Sequence, residues 1–204
     1  MDQQHVHIHA DVRLDCKGLA CPMPIVRTRK AIADMDGGQV LEVLATDKGS
    51  LADLKAWSSR AGHQYLGTLT VDEVYRHYIR KQSTAEAAHP GGSPIPVVSN
   101  AELQARRLAD PEMVIIDVRE EAEFAFGHVR GAISIPLGQL EDRLGELDRE
   151  RELMLLCRTG TRSEMACRLL VDKGFKRVHN VVPGMSEWDG DTDALTEGQG
   201  GLKA

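Results

Sequence analysis

Apolar and polar residues alternate from His5 to Asp15. Val6, Ile8, Ala10, Val12 and Leu14 fall on one side, and His5, His7, His9, Asp11, Arg13 and Asp15 on the other. That period of two predicts a half-buried strand. Pro22 to Met35 carries a helical spacing, with Cys21 expected at the cap position, a proline at the first helical position and Gly37-Gly38 as the stop. Val40 to Thr46 reads as a strand, and Leu51 to Ala61 as a helix closed by Gly62. Tyr65 to Val71 and Val74 to Lys81 read as the two arms of a hairpin. The order βαβαββ predicts a small α+β domain, a two-layer sandwich with both helices on one face of the sheet.

The pattern breaks from Gln82 to Pro96. This stretch has three prolines, two glycines and no apolar period, so a flexible linker is expected there. Beyond it, strand signals alternate with helix signals. The strands are Val97-Val98, Met113 to Val118, Ile133 to Ile135, Leu153 to Leu156 and Val178 to Val182. The helices are Asn100 to Leu108 with Ser99 as cap, Glu121 to Phe126, Leu137 to Leu147, Arg162 to Lys173 and Met185 to Trp188. Such alternation predicts an α/β domain whose central sheet is parallel and covered on both faces, with ligands at the C-terminal strand ends. The expected division is 1–81, a linker at 82–96, 97–195 and a tail at 196–204.

Composition narrows the function. Of 204 residues, 42% are hydrophobic and 27% charged, as in an ordinary folded protein, and no apolar run approaches membrane-spanning length. The formal net charge of −6 is uneven: residues 1–89 hold 11 Lys/Arg against 11 Asp/Glu, and residues 90–204 hold 14 against 20. Neither half offers the broad positive field of a nucleic-acid binder, and aromatics are only 4%. No basic segment followed by an apolar stretch opens the sequence. The four cysteines, Cys16, Cys21, Cys157 and Cys167, are therefore expected as thiols in a reducing, cytoplasmic setting.

Two of them sit in segments suited to thiolate chemistry. Leu153–Leu156 runs into Cys157-Arg158-Thr159-Gly160-Thr161-Arg162-Ser163 and then a helix. A short loop there can turn backbone N–H groups inward, and the helix start adds positive potential. Gly160 permits the required turn, and Arg158 and Arg162 add cationic donors. A thiol in that cradle should lose its proton more easily, and a persulfide anion would be held by the same donors. Four residues separate Cys157 from Arg162. A phosphatase loop of this design is longer, so this cradle suits a terminal sulfur better than a phosphate ester. Cys21 stands before a helix, with Pro22 and Pro24 fixing the turn and Arg27, Arg29 and Lys30 following, which predicts a thiolate held outward. Cys16 could be a resolving thiol or a bystander. Cys167 reads as core, and His128 as the maker of a structural hydrogen bond. His5, His7 and His9 could share a transition metal, but no further ligand is indicated, so a solvated strand face is expected.

The Cys157 loop resembles the active-site loop of single-domain rhodaneses. So do Ile116-Asp117-Val118-Arg119-Glu120, Glu123-Phe124, Gly127 to Pro136, and Pro183-Gly184-Met185 through Trp188. The resemblance covers about residues 95–190. It implies a rhodanese-type sulfurtransferase with Cys157 as sulfur-carrying nucleophile, Arg158, Thr159, Gly160, Thr161 and Arg162 as persulfide cradle, and Asp117 and Arg119 bracing the loop. Gly18-Leu19-Ala20-Cys21-Pro22-Met23-Pro24, with the closing Tyr75 to Lys81, resembles the sulfur carriers of the TusA type over about residues 10–81. It implies that Cys21 carries a persulfide to a partner.

Together the two resemblances imply a sulfur-loading domain tethered to a sulfur-carrying one. Cys157 would take sulfane sulfur from a donor such as thiosulfate and relay it to Cys21 for a protein or small-thiol acceptor. A 15-residue linker reaches about 20 Å, which gives roughly millimolar local concentration. The expected chemistry needs no cofactor, metal, nucleic acid or membrane. Two alternatives stand beside it. One is a non-catalytic carrier loaded by another sulfurtransferase and serving sulfur metabolism, tRNA thiolation or cofactor synthesis. The other is a small phosphatase or arsenate-type reductase, which the loop length disfavours.

Overall fold

The computed structural model describes residues 8–83, 95–110 and 113–195. The chain forms two compact units. Residues 84–94 of the expected linker lie outside the described residues, as do His5, His7 and the tail at 196–204, while Ile95 and Pro96 at its end already belong to the C-terminal unit, Ile95 in the core and Pro96 accepting the Asn180 N–H.

The N-terminal unit follows the expected order: β1 (Val12–Asp15), α1 (Met23–Ala33), β2 (Val40–Ala45), α2 (Ser50–Arg60), β3 (Gln64–Val71) and β4 (Val74–Arg80). The sheet order is β1-β2-β4-β3, with β1 parallel to β2 and the other pairs antiparallel. Asp72 and Glu73 both have positive φ, which is the two-residue turn that matches strand twist in a hairpin. Both helices pack on one sheet face. Ile32 of α1 and Leu54 of α2 meet Leu41, Val43 and Ile79 in a single core. Lys81 donates from Nζ to the carbonyls of Ala33 and Met35 and so satisfies the C-terminal end of α1.

The first strand is shorter than the alternation from His5 predicts. Pairing begins at Val12, because the Asp11 carboxylate accepts the Val40 N–H at 2.7 Å and takes the place of the next ladder bond. Ile8 is buried beyond that point, and His9 is exposed.

The C-terminal unit holds a five-stranded parallel sheet in the order β5-β10-β9-β6-β8. Its strands are β5 (Val97–Ser99), β6 (Val114–Asp117), β8 (Ile133–Ser134), β9 (Leu153–Leu156) and β10 (Val178–Val182). The helices are α3 (Asn100–Ala109), α4 (Glu121–Phe126) and α5 (Thr161–Asp172). Ser99 caps α3 by accepting the Glu102 N–H. Central strand β9 explains the unbroken run Leu153–Leu156. Leu153 and Leu155 pack with α5 on one face, and Met154 and Leu156 with α3 on the other.

Two helical expectations fail. Leu137 to Leu147 forms two single 3-10 turns at Leu137–Gln139 and Leu144–Glu146. Gly138 and Gly145 lower helix propensity, while Leu137, Leu140, Leu144 and Leu147 still pack into the core. Met185 to Trp188 is likewise a 3-10 turn, at Gly184–Glu187. A small antiparallel pair, β7 (His128–Val129) with β11 (Thr192–Asp193), was not legible in the pattern. No helix among the described residues is long and apolar enough to cross a membrane.

Candidate functional site

Strand β9 delivers Cys157 to the C-terminal edge of the parallel sheet, at its middle. Gly160, at φ 101°, turns the chain into α5. The Cys157 Sγ accepts the Gly160 N–H at 3.1 Å and faces the Ser163 Oγ at 3.4 Å. Ser163 Oγ also lies 2.6 Å from Asn180 Oδ1. A hydroxyl has one hydrogen, so it serves Asn180 while Cys157 is a thiol and can turn to the sulfur once the proton has left. Asn180, on β10, donates from Nδ2 to the Gly160 carbonyl and fixes the loop's height.

The outer rim of the loop is held by the segment after β10. The Met185 and Ser186 N–H groups donate to the carbonyls of Cys157 and Arg158. Gly184 makes this approach possible: its φ is +71°, and a Cβ there would stand 2.3 Å from the Cys157 carbonyl oxygen. Asn100 clamps Gly184, accepting its N–H and donating to its carbonyl. Asn100, Asn180 and Gly184 thus build the loop. The polar break in the valine-rich β10 was the one sequence sign of Asn180.

The expected loop residues divide. Arg158 is exposed at the mouth, Thr159 is half-buried, and Gly160 and Thr161 are buried at the start of α5. Arg162, expected as a cationic donor in the cradle, turns to a carboxylate on α4. Its Nη1 and Nη2 donate to Glu123 at 2.7 and 3.1 Å, both residues being buried. A buried carboxylate needs such a partner, and Glu123 sits in the capping box of α4, so the pair ties α5 to α4. Asp117 and Arg119 form a buried fork at the end of β6, with Arg119 also donating to Gly127 O. They brace the turns before and after α4. His128 donates to Phe124 O and stacks on its ring, the structural role expected. Cys167 is in the core, and burial pushes its thiol up.

Cys21 stands in the other unit. The Met23 N–H bonds to Ala20 O and closes a turn around a cis Cys21–Pro22 peptide. The Pro22 carbonyl accepts the first helical bond, from Val26, so Pro22 is the cap and Cys21 lies one residue further out than expected. Pro24 is buried in the first turn. The thiol is exposed and donates to Asp53 Oδ2 at 3.2 Å. The sign of its shift reverses the expectation. The hydrogen bond to Asp53, with slight desolvation and the charges of Asp53 and Asp47, raises the Cys21 pKa above its ordinary value. Arg27, six residues on, bears on Cys16 instead. Cys16 itself is fully buried in the core, and burial pushes its thiol up.

Behind the carboxylates lies a directed hydrogen-bond chain. Ser50 Oγ donates to Asp47 O, so His77 Nε2–H donates to Ser50 and the free Nδ1 accepts from Tyr65 OH, itself bonded to Thr68. The chain pins the start of α2 to β3 and β4. Burial pulls the His77 pKa down to about 4.

An exposed thiol on a proline turn and a buried thiol in a strand–loop–helix cradle are thus the two candidate sites, one in each unit. The family model described as "Sulfurtransferase TusA" matches residues 12–81, and that described as "Rhodanese-like domain" matches residues 99–191. YrkF of Bacillus subtilis, named as a candidate sulfur carrier protein, is 47% identical over 184 residues, covering 90% of this chain and 98% of that one. YtwF of the same organism, named as a candidate sulfurtransferase, is 40% identical over 95 residues, 47% of this chain and 91% of that one. A crystal structure of a rhodanese-like domain from Staphylococcus aureus, 27% identical, covers 49% of this chain and 98% of its own with a TM-score of 0.47. The chain belongs to the sulfur-carrier and sulfurtransferase family, as a fusion of a TusA-type domain with a rhodanese-like domain.

Proposed function

We propose that the chain takes sulfane sulfur onto Cys157 and relays it to Cys21 for delivery to an acceptor thiol, with residues 1–81 as carrier and 97–195 as loading domain. The observation that carries the reading is the Cys157 sulfur held at a central strand end by the Gly160 N–H with Ser163 in reach. With thiosulfate as donor, the Cys157 thiolate attacks the outer sulfur. The new S–S bond forms as the S–SO3 bond breaks, and sulfite leaves with the electron pair. The loop then holds the persulfide. The Cys21 sulfur next attacks the outer sulfur as its proton passes to that sulfur, so Cys21–SH and the Cys157 persulfide anion become Cys21–SSH and the Cys157 thiolate. Neither step needs an oxidant. All four cysteines are free, and the proposed setting is a reducing, cytoplasmic one that would keep them so.

The alternative, a carrier loaded from outside, is favoured by one contrast: Cys157 is 1% exposed, whereas Cys21 is open to solvent. Intact mass and peptide mapping after thiosulfate separate the two. The relay expects sulfur on both cysteines of the wild type, on Cys157 alone in Cys21→Ser, and on neither cysteine in Cys157→Ser. Loading of Cys21 without Cys157 would sink the relay.

A further inference from the structure

The Cys21 turn places a carboxylate, not a cation, on the thiol. Asp53 lies 32 residues on, in the first turn of α2, and its Oδ2 accepts the Cys21 S–H at 3.2 Å. Asp47, in the loop before α2, converges on the same place. A Cβ built on Gly49 would meet Asp47 Oδ2 at 2.9 Å and Asp53 Oδ2 at 3.6 Å. These two carboxylates are the charged groups that act on the Cys21 sulfur, and both oppose its ionisation. A residue that served only to activate a nucleophile would do the reverse. Such an arrangement suits a group that must both give up and regain a proton while sulfur comes and goes.

We propose that Asp53 is a catalytic residue of the carrier domain, taking the Cys21 thiol proton as sulfur arrives and returning it as sulfur leaves. This rests on the reading of Cys21 as a persulfide carrier. On loading from a hydropersulfide donor R–S–SH, the Cys21 sulfur bonds to the outer sulfur and the R–S bond to that sulfur breaks. The electron pair leaves on R–S⁻. The Sγ proton passes to Asp53 and on to R–S⁻, so Cys21–SH and R–SSH become Cys21–SSH and R–SH. Discharge to an acceptor thiol runs the same steps backwards, with the protonated carboxyl supplying the departing Cys21 sulfur. The sulfane sulfur keeps its oxidation level throughout. In the loaded state the nearby carboxylate also disfavours a persulfide anion. The carried sulfur is held as the hydropersulfide, the form whose outer sulfur a thiolate can attack.

The test sets two reactions of the same thiol against each other in the full-length chain. Alkylation by iodoacetamide reads only the thiolate, because iodide leaves without a proton. Sulfur uptake from glutathione persulfide reads proton transfer as well. Both are followed at Cys21 by peptide mass, in a Cys157→Ser background so that the donor bypasses the other domain. Asp53→Asn keeps the shape and removes the charge. Expected is an alkylation midpoint shifted to lower pH, with several-fold faster alkylation at pH 7, yet sulfur uptake slowed about 100-fold, a typical loss for a missing proton-transfer group. Asp53→Glu should recover much of the uptake. Uptake that rises together with alkylation would overturn the proposal, leaving Asp53 as a brake on the thiol. An unmoved alkylation profile would overturn it too. Absence of uptake at Cys21 in the Asp53-containing chain would instead remove the carrier reading itself, and this proposal with it.

Discussion

Cys157 and Cys21, the two thiols proposed to carry sulfur, stand in surroundings of opposite polarity. Cys157 sits almost out of solvent, between a backbone N–H and a hydroxyl that can turn to it. Cys21 stands in the open with a carboxylate accepting its proton. Hydrogen-bond donors favour an anionic sulfur, and acceptors and negative charges favour a protonated one. The loop thus suits holding sulfur after a donor has been cleaved, and the turn suits passing it on. The supports differ as well. The loop is fixed by buried side chains reaching from α4, β10 and the turn after it. The Cys21 turn is held by main-chain bonds and by Thr46, and its thiol meets a side chain of α2.

The sharpest way to break the loop side is through its buried ion pair. Glu123→Ala leaves Arg162 buried without its main carboxylate, and removing one partner of such a pair costs about 3–5 kcal/mol. Urea unfolding followed at Trp188 should show that loss, together with failure of sulfur loading at Cys157. Alkylation of Cys21 should stay as in the wild type. Equal stability of the variant would mean that Arg162 has other sufficient partners, and that the α4–α5 tie does not hold the loop.

Acid should weaken the turn side. His77 keeps a folded pKa of about 4 against 6.5 for the free side chain. Between those values the unfolded chain binds a proton that the folded one refuses. The stabilisation is complete above about pH 6.5 and disappears as pH falls towards 4, a loss of about 3 kcal/mol. His63, lowered mainly by burial and also by Lys81, acts in the same direction. Unfolding followed at Trp57 in a Trp188→Phe chain, at pH 7 and pH 4.5, checks this. A flat response would show that protonated His77 finds room, and that the Tyr65–His77–Ser50 chain does not hold α2 in place.

How far the sequence led depended on the range of each contact. The run Leu153–Leu156 revealed a strand buried on both faces, because apolarity itself reports burial. The glycine at 160 and the prolines at 22 and 24 announced turns that local sterics dictate. Asp53 was invisible, 32 residues from the thiol it touches, as was Asn100, 84 residues from Gly184. The cations Arg27, Arg29 and Lys30 lie close to Cys21 along the chain but do not set its sign. Arg162 was legible as a loop residue but not as the partner of Glu123, since its guanidinium follows a buried charge on another helix. The 3-10 turns at Leu137–Glu146 show the same limit: leucine spacing marked the buried face, while two glycines decided the backbone.

The smallest of the expected effects bears most directly on the polarity of the two sites. Ser163→Ala removes the hydroxyl that can reach the Cys157 sulfur while leaving the Gly160 N–H in place. A hydrogen bond to a charged group is worth about 1.5–3 kcal/mol, so sulfur uptake at Cys157 should fall roughly 10- to 100-fold. Asn180 keeps its bond to the Gly160 carbonyl, so the loop should hold its shape. The loss should therefore appear in the rate of sulfite release from thiosulfate, with little change in the unfolding midpoint. The Cys21 alkylation profile should not move. Unchanged sulfite release would mean that backbone donors alone stabilise the sulfur, and that Ser163 serves only to hold Asn180. The contrast between the two thiols would then rest on the turn of the main chain at Gly160 and on the carboxylate at Asp53.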